Sequence, residues 1–162
     1  MLDLHNTYEV YINEEENPND DFEYFFKTDL GVTYILGFSN ASYLFKEGCL
    51  ACQNIHSFRF YTLEKKSYND PKIYLSIIKA VKKFIDQYDY PIVYVCDISS
   101  GEGLGRLRLF DRWFHLFSDG SYQKIQQVFE TPYQKIPIGI ISSASDTNCT
   151  RYLEEIEYAW MG

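Results

Sequence analysis

Over the first third of the chain, hydrophobic and polar positions alternate in short runs, and a period of two predicts strands. Tyr8, Val10 and Ile12 alternate with Glu9, Tyr11 and Asn13 and fit one short strand. Residues 22–28 and 32–38 are rich in aromatic and β-branched side chains and flank Asp29-Leu30-Gly31. Gly31 can take the positive φ of a tight turn, so these runs read as a hairpin. Residues 39–55 form a longer connection. Beyond it Phe58, Phe60 and Thr62 face one way, and Arg59 and Tyr61 the other.

The period changes at Asp70. Asp70-Pro71 is an N-cap followed by proline at the first helical position. Ile73, Ile77, Ala80, Val81, Phe84 and Ile85 then recur at helical spacing, which predicts a helix over 71–88. Pro91 opens the continuous apolar run Ile92-Val93-Tyr94-Val95-Cys96, the pattern of a strand covered on both faces. A polar, glycine-containing loop follows from Asp97 to Gly103. Leu104, Leu107, Phe110, Phe114 and Phe117 trace a second amphipathic helix, which Ser118-Asp119-Gly120 stops. Residues 124–130 and 137–143 read as strands, and Asp146 or Thr147 caps a last helix through Trp160. After residue 21 the order is β-β-β-α-β-α-β-β-α. It predicts an α+β fold: a mostly antiparallel mixed sheet with one βαβ-like crossover and helices packed on it.

The length of 162 residues suits one domain, and its 29 Phe, Trp and Tyr residues can fill a sizeable core. Charge divides the chain. The net charge is -8, yet the first 23 residues hold eight acids and no Lys or Arg. The remaining acids and bases balance at 15 each. Residues 1–21 are therefore expected to be a solvated acidic arm, and 22–162 a single, formally neutral domain. The acidic total disfavours nucleic acid as a partner. No run approaches the roughly 18 apolar residues of a membrane span, and the N-terminus lacks a signal-peptide pattern. A cytoplasmic compartment and no membrane partner are expected, with Cys49, Cys52, Cys96 and Cys149 as free thiols.

Cys49-Leu50-Ala51-Cys52 has the spacing of a redox or zinc pair, and His56 follows closely. Zinc needs four ligands, and no second paired motif supplies them, so no metal is expected. Arg106, Arg108 and Arg112 form the densest basic feature, with Glu102 and Asp111 as ion-pair partners. Alternatively, Asp97, Arg106 and Arg112 form a site for a small anionic ligand, since the loop after a buried strand is a common binding position. His5, His56 and His115 are scattered and define no triad.

Val93-Tyr94-Val95-Cys96-Asp97, followed by Gly105-Arg106-Leu107-Arg108-Leu109-Phe110-Asp111-Arg112-Trp113-Phe114, resembles a family of short uncharacterised bacterial proteins. The Asp70-Pro71-x-Ile73 helix start resembles it too. The resemblance covers most of residues 22–143 and implies a single domain of unknown function.

The element order is also similar to the later part of the GCN5-related acyltransferase fold. That likeness implies a cofactor, acetyl-CoA, whose pyrophosphate sits at a helix start. In one register this start is Tyr68-Asn69-Asp70-Pro71. Asp70 would repel phosphate, Pro71 has no N–H, and Phe110 stands where a tyrosine acid is usual. In the other register Ser100-Gly101-Glu102-Gly103-Leu104-Gly105-Arg106 forms the cradle. Gly101, Gly103 and Gly105 would admit phosphates, and Arg106 would pair with one.

Three readings follow. The leading one is a non-catalytic binding or regulatory module on a degenerate acyltransferase-like scaffold. It uses no cofactor and takes a protein or a small anionic ligand. A CoA-dependent N-acyltransferase using Gly101 to Arg106 is the second, and a structural homodimer the third. A V-shaped gap between the parallel central strands would favour the enzyme, and its closure by Tyr or Phe the binding module.

Overall fold

A computed structural model of the chain describes residues 6–14, 21–64, 70–95, 111–112, 114–115, 118–130, 132–133 and 135–161. Residue 95 and residues 157–161 are described through their backbone alone.

Seven strands form one sheet. They are β1 (Tyr11–Asn13), β2 (Phe22–Lys27), β3 (Thr33–Asn40), β4 (His56–Thr62), β5 (Ile92–Val95), β6 (Tyr122–Glu130) and β7 (Lys135–Ser143). Their order across the sheet is β1-β2-β3-β4-β5-β7-β6. Every neighbouring pair is antiparallel except β4 and β5. This is the mixed α+β sheet expected, with its one crossover; the helix expected from Leu104 to Phe117 lies mostly outside the described residues.

Local chemistry explains each element. Gly31 adopts φ +81 and closes the β2–β3 turn, where Thr28 N–H donates to Val32 O at 2.9 Å. Helix α1 (Pro71–Tyr88) begins as expected, with the Asp70 carboxylate accepting Lys72 N–H at 2.9 Å. It ends where Asp89 turns into the left-handed region and its N–H donates to Ile85 O. Helix α2 (Cys149–Met161) starts later than the expected cap. There the Asp146 carboxylate takes Asn148 N–H and the Tyr152 hydroxyl, each at 2.9 Å.

The sheet separates two cores. On one face α1 lays Ile73, Ile77, Ala80, Phe84 and Ile85 on Tyr24, Phe26, Leu36 and Phe38, with Phe38 and Phe84 stacked at 4.1 Å. On the other face Tyr152 and Ile156 of α2 pack with Phe45 and Ile55 of the 41–55 connection. β5 lies between them. Ile92 joins the first core and Val93 the second, so its uninterrupted apolar run is a strand covered twice.

Residues 6–13 depart from the expected solvated arm. Tyr8 and Val10 are buried in the α1 core, and β1 pairs with β2. The alternation of Tyr8, Val10 and Ile12 held the strand signal, and the acids around it gave the expectation of solvation. Two of the four cysteines depart as well, and Cys96 lies outside the described residues. Cys49 and Cys52 form a disulfide, whereas Cys149 is a buried thiol. The turn at 49–52 brings their Cα atoms to 5.3 Å, within the reach of a disulfide.

Candidate functional site

The crossover builds the site. β4 and β5 run parallel and, among the described residues, pair at His56↔Ile92 and Ser57↔Val93. Past the second pair, where the strand pairing among the described residues stops, the side chains on the α1 side are Phe58 and Tyr94. A cavity of about 60 Å³ opens there. Helix α1 supplies Ile77, Ile78, Val81 and Ile85 to its wall, and the strands supply Phe58, Ile92, Tyr94 and Ile141. The lining is almost wholly apolar. That volume is less than half the roughly 150 Å³ of a cavity that accommodates benzene. It suits a short apolar group rather than a ring.

Polar side chains hold one end. Lys82, Ser118 and Tyr122 stand at the cavity, with the Lys82 ammonium 5.3 Å above the Tyr122 ring and 4.0 Å from Asp119. The Tyr122 hydroxyl donates to Asp86, so α1 is tied to the start of β6. Burial, then the Asp86 carboxylate, push that hydroxyl up from its ordinary range. The ends of these elements are thus fixed around the cavity.

At its other end α1 is closed by the protein itself. Besides accepting Lys72 N–H, the Asp70 carboxylate accepts the Tyr8 hydroxyl. Tyr8 N–H donates to Ser76 Oγ at 2.8 Å, and the Lys72 ammonium lies 4.7 Å from the Tyr8 ring. Burial and Asp70 push the Tyr8 hydroxyl up to about 12. A phosphate arriving at this helix start would meet a carboxylate, a proline and a packed tyrosine.

The structure tests few of the sequence candidates directly. Asp97, Gly101, Gly103, Gly105 and Arg106 lie outside the described residues, as does Phe110. Arg112 is described: it is exposed on a short helical stretch at 111–112. Its neighbour Asp111 takes the Lys124 ammonium from β6, and that contact holds its carboxyl below the usual range. His56 does not accompany the cysteines. Its ring lies on the α1 side, stacked on Tyr90 at 4.9 Å, with Nδ1 2.8 Å from Asn54 O. Among the described residues no group of three or more metal-ligating side chains forms. No helix among them is long and apolar enough to cross a membrane.

The gap between the parallel strands was anticipated, and it is walled by Phe58 and Tyr94; the glycine beside it was not foreseen. Gly139 faces Tyr94 across the β5–β7 pair. An isolated glycine inside an apolar strand signals a close approach, and Ile138-Gly139-Ile140 carried that signal.

Fold and site together define a single-sheet α+β domain with an apolar cavity where its parallel strands part. Residues 69–154 match the Family of unknown function (DUF6169), and the chain belongs to that family. The chain is also similar to a solved CoA-dependent acyl-homoserine lactone synthase, MesI, at 12% sequence identity and a TM-score of 0.41. That likeness covers 91% of this chain and 73% of the other, and at such a score it brings no activity with it. No curated protein matches the chain.

Proposed function

We propose that this chain is a non-catalytic binding module on an acyltransferase-like scaffold, and that its cavity takes a short apolar group of a ligand or partner. The observation that carries this reading is the cavity itself. It is apolar, small, and walled by aromatic rings where the two strands part. The start of α1 supports the non-catalytic half of the reading. In the register that seats a cofactor pyrophosphate at the start of α1, Asp70 and Tyr8 occupy the helix terminus it would need. The module works without cofactor or metal. Its partner is a protein or a small anionic molecule reaching Arg112, and the net charge of -8 speaks against nucleic acid.

One observation favours a CoA-dependent N-acyltransferase as the second reading. The parting of β4 and β5 lies beside the end of β5, from which the segment holding Gly101 to Arg106 leads. Calorimetric titration with acetyl-CoA, paired with an acetylation assay on a panel of amines, separates the two. The binding module gives no saturable acetyl-CoA binding and no acetylated amine. Saturable binding with transfer overturns it.

A further inference from the structure

We propose that Cys49 and Cys52 form a reversible dithiol–disulfide site that exchanges with thiol reductants while the domain stays folded. The spacing alone is ambiguous between a redox pair and a metal pair. The structure pairs the two sulfurs with each other and places His56, the nearest histidine in sequence, against Tyr90 on the opposite side of the sheet.

The turn that presents the cysteines is held without the bridge. Cys49 N–H donates to Lys46 O, Cys52 N–H to Cys49 O, and Ile55 N–H to Cys52 O, at 3.1 to 3.3 Å. Ala41 N–H donates to Ile55 O at 2.8 Å and closes the base of the connection. Gly48, at φ +88, turns the chain into the motif. The backbone therefore keeps both sulfurs within reach of each other in either redox state. A cross-link across three positions also closes a very short loop, where the entropic gain of a disulfide is smallest. A bridge that adds little to an already held turn is poorly explained as a staple.

The surroundings accept both states. Phe45, Ile55, Val93 and Ile140 line the cluster around the pair, and a thiol behaves there as a small hydrophobic group. Access is from the side of Leu50, which is 78% exposed, and Cys49 is less deeply buried than Cys52. The exchange follows from this order. A reductant thiolate attacks Sγ of Cys49, and the Cys52 thiolate leaves and takes a proton. A second thiol of the reductant then attacks the mixed disulfide at the reductant sulfur and frees Cys49. Two electrons and two protons pass from a dithiol to the protein, and the dithiol leaves as its own disulfide. Cys149 shares the cluster but stays aside: burial pushes its thiol up, away from the reactive thiolate.

The experiment is alkylation of the folded, full-length chain after equilibration with dithiothreitol, mapped peptide by peptide by mass spectrometry. Near-ultraviolet circular dichroism is recorded on the same samples. The proposal expects Cys49 and Cys52 to become alkylable together, to return to the disulfide on removal of reductant, and to leave the dichroism native throughout. The double variant Cys49→Ala with Cys52→Ala should unfold within a few degrees of the reduced native chain. Retention of the disulfide until the chain unfolds overturns the proposal, as does loss of native dichroism on reduction. Failure of the pair to reoxidise overturns it equally.

Discussion

Tyr94 of β5 lies over Gly139 of β7 so closely that a Cβ on residue 139 would stand 2.0 Å from Tyr94 Cζ. The same hypothetical Cβ would lie 2.2 Å from the Tyr94 hydroxyl oxygen. The tyrosine ring can lie flat on the sheet only because its partner has no side chain. It thereby forms a wall of the cavity instead of filling it.

Gly139→Ala should therefore push the Tyr94 ring out of place. Overpacking of this kind costs about 1–3 kcal/mol, read as a lower unfolding midpoint in urea. Tyr94→Leu alone should also destabilise, through loss of buried ring contacts. The double variant should lose less than the two single losses combined, because the leucine leaves room for the new methyl. Strict additivity would show that the two residues do not crowd each other.

The N-terminal segment should add to stability in a pH-dependent way. Burial and Asp70 hold the Tyr8 hydroxyl up at about 12, above the value near 10 of an unfolded chain. Between those values the folded state keeps a proton that the unfolded state has lost. Stability is thus full below pH 10 and falls as pH rises through 12. Tyr24, raised to about 12 by burial, contributes in the same window, so removing Tyr8 flattens the fall without abolishing it. Tyr8→Phe should cost about 1–2 kcal/mol at neutral pH for the lost bond to a carboxylate. Its unfolding free energy should then decline less steeply across the alkaline range than that of the native chain. Equal slopes would mean that Tyr8 does not hold its proton against Asp70.

What the sequence disclosed was what local chemistry decides. Gly31 announced the β2–β3 turn, and Asp70-Pro71 with the period of Ile73, Ile77 and Phe84 announced α1 at its observed bounds. Non-local pairing was harder to read. β7 lies between β5 and β6, and adjacent elements in the chain gave no sign that this strand would return to the middle. The alternation of Tyr8 and Val10 showed a strand but not their burial, which depends on α1, more than 60 residues away. A gap between the parallel strands was anticipated, but its lining was not legible, for the same reason. Its walls come from α1, four strands and Phe114 and Ser118 ahead of β6, and only the glycine of β7 hinted at a close approach. Most of the expected ligand loop lies outside the described residues, so the site defined by the structure is a different one, on the α1 side of the parted strands.

The central claim is that the cavity beside β4 and β5 takes a short apolar group, and xenon titration followed by methyl NMR tests it most directly. Xenon enters dry apolar cavities. Methyl resonances of Ile77, Ile85, Ile92 and Ile141 should shift and saturate together. In Val81→Phe, where the new ring fills the space, the folded chain should show no such shifts. Unmoved methyl signals in the native chain, or unchanged shifts in Val81→Phe, would contradict the account.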